Sequence, residues 1–306
     1  MLRVGVVSRL TIDLLFRGLD HLPAPGEEIQ TDGLTVSLGG GPVVIPAVLG
    51  RMGMPVKLAT FLDDSRAARL AKELLEKQGC RCWHNFYTGG WRPITVSVVL
   101  PVGTDRSIIS DEDCWQAPSA DVLESFFEDC DVAVLPEHPE LALRLRKRGK
   151  RLVYDTSDFT TPPPKEYLAL QEIVTPNLRE AIKITGQHLP ADALRALAAQ
   201  GVRFPIIKLG RDGCIILTAK GPEMIKPVTA GPCLDATGAG DCFLAGLLYG
   251  YSRGWAFADC ARMGNVFGSI ATTEIGAMGA EITEQRAIEL YEANYGKAPG
   301  DEICVG

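Results

Sequence analysis

Nowhere in the 306-residue chain do apolar residues run for the roughly 18 to 20 positions that a membrane-crossing helix needs. The first residues lack the charged segment, apolar segment and cleavage site of a leader peptide. They pass directly into the strand-like Arg3-Val4-Gly5-Val6-Val7, so a cytoplasmic protein without a membrane partner is expected. Positive charge is not in excess either. A formal charge of −7 argues against a nucleic-acid or anionic-membrane surface, and the basic run from Arg144 to Arg151 reads as a solvated helix end beside a dipole C-terminus. The nine cysteines are scattered and odd in number, and Cys80-x-Cys82 has neither the usual zinc spacing nor a second pair nearby. That disfavours a disulfide framework and points to small buried thiols in a reducing compartment. Cys242 stands apart, because a thiol at a helix N-terminus can acquire a lowered pKa; filling space beside a loop is the alternative. A glycine fingerprint is missing after the first strand, which runs into Ser8-Arg9-Leu10-Thr11 and so disfavours a dinucleotide-binding dehydrogenase. Internal repeats, low-complexity tracts and long linkers are absent as well, and Pro162-Pro163-Pro164 reads as a stiff loop within one domain spanning 1–306.

What the chain does have is enough apolar material, 46% against 23% charged, to bury one large α/β core. Short apolar runs at 56–61, 132–135, 151–154, 172–174 and 205–209 alternate with helical patterns at 64–78, 119–127, 139–148, 177–185 and 190–200. Strand and helix in alternation predict a mostly parallel sheet covered on both faces, with ligands beyond the carboxyl ends of the strands. Two extended pieces break the alternation, Glu28 to Leu38 and Ile94 to Ser110, the second with a turn at Val102-Gly103-Thr104-Asp105. They read either as an edge hairpin or as a small β-strand lid over a site, which would exclude water.

The most informative run is Leu234 to Gly246, where Gly238-Ala239-Gly240 leads into a helix with apolar Phe243, Leu244, Leu247, Leu248 and Tyr251 at helical spacing. Small residues let the backbone approach a ligand, and the helix start offers unpaired N–H groups and a positive dipole end, a ready anion site. A carboxylate at that junction, Asp241, would repel a phosphate unless it faced a second substrate, so it reads as a group that orients and deprotonates an attacking hydroxyl. A tight turn with Asp241 as helix cap is the simpler alternative. A second loop-to-helix junction, Ser37-Leu38-Gly39-Gly40-Gly41-Pro42, carries proline where the first helical turn tolerates it.

From Asp235 to Gly246 the chain resembles the C-terminal signature of the ribokinase-like (PfkB) carbohydrate kinases, Asp-Thr-Thr-Gly-Ala-Gly-Asp-x-Phe-x-x-Gly, with Ala236 the one departure. Gly39, Gly40, Pro42, Arg51 and Gly53 fall in register with that family's Gly-Gly-x-x-x-Asn-x-Ala and Arg-Leu-Gly pattern, but Val44 stands for the Asn and Pro46 for the Ala. That Asn hydrogen-bonds a sugar hydroxyl, which Val44 cannot do. Asp13 matches an early Asp that accepts hydrogen bonds from substrate hydroxyls, with a helix or loop cap as the alternative. The likeness continues, in order, through Asn177 and Glu180 in a Pro-Asn-x-x-Glu element to Lys208, Gly210 and Gly213 in a turn near ATP. Asn265 and Glu274 to Ala277 lie where the family builds its purine pocket. Leu62-Asp63-Asp64 with Ala67 matches Gly-Asp-Asp-x-x-Gly only in part.

The resemblance implies a ribokinase-like three-layer α/β sandwich with a mostly parallel central sheet and lid segments at about 14–38 and 86–113. It implies a kinase moving the γ-phosphoryl group of ATP to a hydroxymethyl group of a sugar-like small molecule. Asp241 would be the base, and the amides of Gly238, Ala239 and Gly240 the anion hole. Asp13, Gly39, Gly40, Gly41 and Arg92 would bind the acceptor; Asn177, Lys208, Gly210, Gly213, Thr237 and Asn265 the nucleotide. Glu180 would hold Mg²⁺ through water, consistent with an ion that keeps several waters. Need for a monovalent cation is left open, and a homodimer through the lid is expected. Arg9 and Arg92 would suit an acidic or phosphorylated acceptor, since guanidinium forks onto such groups. Two other readings stand beside this one. A nucleoside kinase of the same family would need Trp83, Trp91 or Trp115 to face the pocket; a sugar-binding regulatory pseudokinase would explain Val44 and Pro46, though Asp241 speaks against it.

Overall fold

The computed structural model describes residues 1–80, 82–86, 94–102, 105–110, 118–156 and 161–300. In chain order these form β1 (Val4–Val7), β2 (Thr11–Arg17), β3 (Gly33–Gly39), α1 (Val44–Arg51), β4 (Val56–Thr60), α2 (Arg66–Lys77), β5 (Trp83–Asn85), β6 (Thr95–Val102), β7 (Asp105–Ser110) and α3 (Ala120–Glu124). There follow β8 (Val132–Leu135), α4 (Pro139–Lys147), β9 (Arg151–Tyr154), α5 (Lys165–Leu168), β10 (Ile173–Val174), α6 (Leu178–Thr185), α7 (Pro190–Ala199) and β11 (Phe204–Lys208). The chain closes with β12 (Cys214–Thr218), β13 (Gly221–Ile225), α8 (Ala239–Ser252), α9 (Phe257–Ala271) and α10 (Glu284–Tyr295).

Among the described residues nine strands make one sheet in the order β13-β12-β11-β10-β9-β8-β1-β4-β5. All neighbours from β5 to β11 pair in parallel, while β12 and β13 are added antiparallel at one edge. Side-chain alternation along the central strands separates two cores. On β8, Val132 and Val134 join Leu244, Leu247 and Phe267 on one face, whereas Ala133 and Leu135 join Leu141, Leu145 and Leu197 on the other. Such strands read as continuous apolar runs because both faces are covered, and the result is a three-layer sandwich.

A second sheet, β3-β2-β6-β7, stands apart. The sequence pattern shows β3, β6 and β7 but not the strand between them, because Thr11-Ile12-Asp13-Leu14-Leu15-Phe16-Arg17 reads as an apolar run with charges only at Asp13 and Arg17. β2 pairs antiparallel with β3 and parallel with β6, so the sheet is mixed. Its strands run 11–17, 33–39, 95–102 and 105–110, against the 14–38 and 86–113 expected for the lid segments; 87–93, 111–113 and residues 103–104 of the expected turn lie outside the described residues. The β12–β13 hairpin and the short β5 are likewise absent from the sequence pattern.

The helical layer of α8, α9 and α10 is pinned by one fully buried carboxylate. Asp259, in the first turn of α9, takes the Tyr291 hydroxyl at 2.6 Å, Arg262 at 2.5 Å and Lys297 at 3.0 Å on Oδ1. Burial pushes the pKa of Asp259 up, but those three donors outweigh it and hold the group below the ordinary carboxylate range. A pKa depressed on folding means stability that is present above the unfolded value and lost as pH falls through the folded one. Asp259→Asn should cost about 3 kcal/mol of unfolding free energy at neutral pH, since it leaves two cations facing a neutral buried group. The difference between wild type and variant in urea denaturation should shrink progressively below about pH 4.

Candidate active site

The predicted glycine-rich junction is the start of α8. Gly238 is its N-cap at φ 73°, and a methyl group there would come within 2.6 Å of Ala277, so both the backbone angle and the space demand glycine. Ala239, Gly240 and Asp241 form the first turn, and Asp241 is half-buried. From the end of β11, Lys208 reaches the same turn, its Nζ 3.1 Å from where a Cβ on Gly240 would lie. Ammonium and helix dipole thus present positive potential to one spot, the inverse of what helix stability alone favours. An anion bound between them would relieve that repulsion.

Behind this turn lies a cavity of about 330 Å³. Lys208, Gly210, Gly213, Ala239, Gly240 and Asn265, all expected from the sequence, line it together. Gly210 and Gly213 bend the chain at φ 61° and 87° after β11. Asn265 is mostly buried and donates from Nδ2 to the Lys226 carbonyl at 3.0 Å, which fixes the wall from α9. Other walls come from stretches that sequence reasoning missed: Pro227, Val228 and Cys233 ahead of the signature, and Gly268, Ser269 and Thr272 along α9. No local motif marks them; only α9 lying along α8 brings them near. That contact requires Gly246, where a methyl group would strike the Met263 carbonyl at 2.5 Å.

Thr237 sits beside the cavity without lining it. Its N–H (2.9 Å) and hydroxyl (2.7 Å) both donate to Asp235 Oδ1, while Gly276 N–H donates to Oδ2 at 2.8 Å. The buried Asp235 carboxylate therefore ties the loop before α8 to the loop before α10. Gly276 in turn meets the small sheet: a Cβ on it would lie 3.2 Å from Ser37 Oγ. The inner face of that sheet holds Asp13, mostly buried, whose Oδ1 accepts from the Thr11 hydroxyl at 3.1 Å. A side chain at Gly39 would meet Asp13 Oδ2 at 2.3 Å, so glycine there keeps space beside the carboxylate. Gly40 and Gly41 take φ 114° and 58° to turn the chain into α1, and the Ser8 hydroxyl donates to the Gly40 carbonyl at 2.7 Å. Val44 is fully buried in the core, and Pro46 is buried in the first turn of α1, where its missing N–H has no helical acceptor to lose. Arg92, Trp91 and Trp115 lie outside the described residues.

Asn177 and Glu180 form a complete capping box on α6. Glu180 Oε2 also accepts the buried Thr156 hydroxyl at 2.6 Å, and the Asn177 segment adjoins Lys208, whose N–H donates to the Pro176 carbonyl at 2.8 Å. Trp83 packs at the far edge of the large sheet under Lys72, 5.7 Å from ring centroid to Nζ. Among the described residues no group of three or more His, Cys, Asp or Glu side chains could grip a metal ion.

Of the two readings of Cys242, the space-filling one holds. Burial first, and the neighbouring Asp241 carboxylate second, push its thiol well above the ordinary range, and its Sγ donates to the Ala277 carbonyl at 3.8 Å. Desolvation here overrides the helix dipole, so Cys242 fills space.

The chain matches the description "pfkB family carbohydrate kinase" over residues 1–284 and belongs to that family. It is 34% identical over 144 residues to a cytidine kinase of Thermococcus kodakarensis, covering 44% of this chain and 51% of that protein. It is also 34% identical over 148 residues to a 1-phosphofructokinase of Rhodobacter capsulatus, covering 45% of each. The chain thus spans about half the length of these two curated relatives. In fold it is similar to Arabidopsis thaliana ribokinase complexed with ribose and ATP, with a TM-score of 0.81 at 22% identity, covering 95% of this chain and 99% of that one. No helix among the described residues is long and apolar enough to cross a membrane.

A maleimide probe at neutral pH should label the exposed Cys82 and Cys233 quickly. Cys80, Cys130, Cys214 and Cys242 should stay unmodified until the protein is denatured, as read by peptide mass mapping, because all four are buried with raised pKa values.

Proposed function

We propose that this chain transfers the γ-phosphoryl group of ATP to a hydroxymethyl group of a sugar-like acceptor. One observation carries the reading: Lys208 and the amide end of α8 converge on Gly240, at the mouth of a cavity that the nucleotide would fill. There the Gly238, Ala239 and Gly240 amides and the Lys208 ammonium stabilise charge on the transferring group. Asp241, one residue on, faces the acceptor side and orients its hydroxyl for in-line attack. An ordinary aspartate has a pKa of about 3.9, far below that of an alcohol, so the proton passes to it late, as the oxygen–phosphorus bond forms. Mg²⁺ bound with ATP would supply neutralisation of phosphate charge. With no carboxylate cluster among the described residues, the protein would contact the ion's waters through Asn177 and Glu180, whose orientation the Thr156 hydroxyl and the capping box fix.

Acceptor-dependent ADP release from ATP·Mg²⁺ is the test, on a panel of pentoses, hexoses, sugar acids, inositols, sugar phosphates and nucleosides. Asp241→Asn should lower turnover by about 100-fold or more while ATP still slows labelling of Cys233, which lines the cavity, and leaves Cys82 labelling unchanged. Near-wild-type turnover would sink the assignment of Asp241. A nucleoside acceptor is the second reading, supported by the likeness to a cytidine kinase, and cytidine in the panel decides it.

The small sheet acts in this reading as a lid, and its outer face supports a homodimer. Leu14, Phe16, Leu34, Val36, Val96, Val98 and Ile109 alternate onto that face, and Leu34, Val36, Val96 and Ile109 are exposed there. A second copy of the chain is the occupant, since an isologous contact would cover both apolar faces at once. Val36→Lys combined with Ile109→Lys should shift the mass in light scattering from two chains to one.

A further inference from the structure

The acceptor's hydroxyls need a reader other than residue 44. Val44 lies in the core with no exposed surface, and no side-chain rotation brings a polar atom to the site from there. The small sheet offers one. Its register places Ser37 opposite Asp13, Asp13 opposite Ser97, and Ser97 opposite Ser110, so four polar residues cross all four strands in one row. Residues paired across strands share a face, and strands lie about 4.8 Å apart, so neighbouring members of the row, such as Asp13 and Ser97, are within reach of one small molecule. On the same face the row on one side is Thr11 with Gly39 and Thr95, polar or bare, and the row on the other is Leu15 with Thr35, Val99 and Ile108, mostly apolar. The residues flanking Ser97, Val96 and Val98, belong to the opposite, apolar face.

Ser97 and Ser110 differ in kind. Ser97 is 6% exposed and Ser110 is open to solvent, with their hydroxyls 2.9 Å apart. One hydrogen bond between two hydroxyls uses one proton and leaves the other. Water serves Ser110 from outside, so when Ser110 donates to Ser97, the Ser97 proton is available toward the inner face. Asp13, by contrast, is an acceptor only when ionised. Side by side on adjacent strands they offer an acceptor and a donor, each able to hydrogen-bond one of two neighbouring oxygens of a sugar-like ring.

We infer that Ser97 is a specificity-determining residue that donates to an acceptor oxygen adjacent to the hydroxyl bound by Asp13, an inference that rests on the kinase reading above. The acceptor class is then a polyol with two neighbouring oxygens turned to the lid and no hydroxyl that depends on position 44. A Ser97 that merely supports the sheet would behave differently from one that reads the acceptor, and the two are separable by kinetics.

With the best acceptor from the panel, Ser97→Ala should raise the acceptor KM about tenfold, the range for loss of one neutral hydrogen bond. It should leave kcat within about twofold and the KM for ATP unchanged. Ser97→Thr, which keeps the hydroxyl and suits a strand, should restore the acceptor KM. A deoxy analogue that wild type penalises about tenfold at the oxygen read by Ser97 should be penalised no further by Ser97→Ala. An active wild type whose Ser97→Ala variant keeps its acceptor KM would overturn the inference alone, as would a variant in which the ATP KM rises in parallel or Ser97→Thr fails to rescue. A wild type silent on the whole panel would overturn the kinase reading and this inference with it.

Discussion

The Asp235 carboxylate is the constraint on which the site depends. One oxygen takes the amide and hydroxyl of Thr237, the other the amide of Gly276, and both are buried. A buried carboxylate that lost such partners would face the full cost of desolvation, so the two loops it joins are fixed relative to each other. Everything polar at the site follows from that tie. The loop before α8 delivers Gly238 in its left-handed conformation, which aims the amides of the first turn outward. The loop before α10 presses Ala277 against Gly238 and Gly276 against Ser37. Helix start and small sheet are thereby held in one frame, though they come from opposite ends of the chain.

Positive potential is concentrated rather than spread. The protein carries net negative charge, yet a lysine sits at a helix N-terminus where stability alone would favour a carboxylate. Asp241 stands in the same turn, so a carboxylate and an ammonium share the start of α8. The small sheet obeys the same economy through alternation: one face carries Asp13 and the serine row, the other the apolar stripe, and a shift of one residue in β2 would exchange them.

Motifs with a short local cause were readable directly. Gly238 to Asp241, the capping box of Asn177 and Glu180, and the Lys208 to Gly213 turn each occupy a few consecutive residues whose chemistry declares itself. The parallel strands from β8 to β11 declared themselves as apolar runs, because burial on both faces leaves no other composition. β2 did not, since its seven residues pack one face on the body and give the other to an apolar surface, which erases the polar alternation that marks a half-buried strand. Cys242 was readable only as a choice between dipole and burial, and burial prevails because α8 is enclosed on all sides beyond its first turn.

The sequence by itself determined the class of fold, the family and the glycine-rich start of α8, because these rest on local backbone demands and on a linear pattern. Tertiary structure alone decided which surfaces those residues would share. That Pro227, Cys233 and Thr272 wall the same cavity as Lys208, that Asp235 joins its loop to Gly276, 41 residues on, and that Ser97 stands beside Asp13 all depend on strand register and on helix packing at Gly246. Those are cooperative outcomes of the whole core, in which no short segment carries the information.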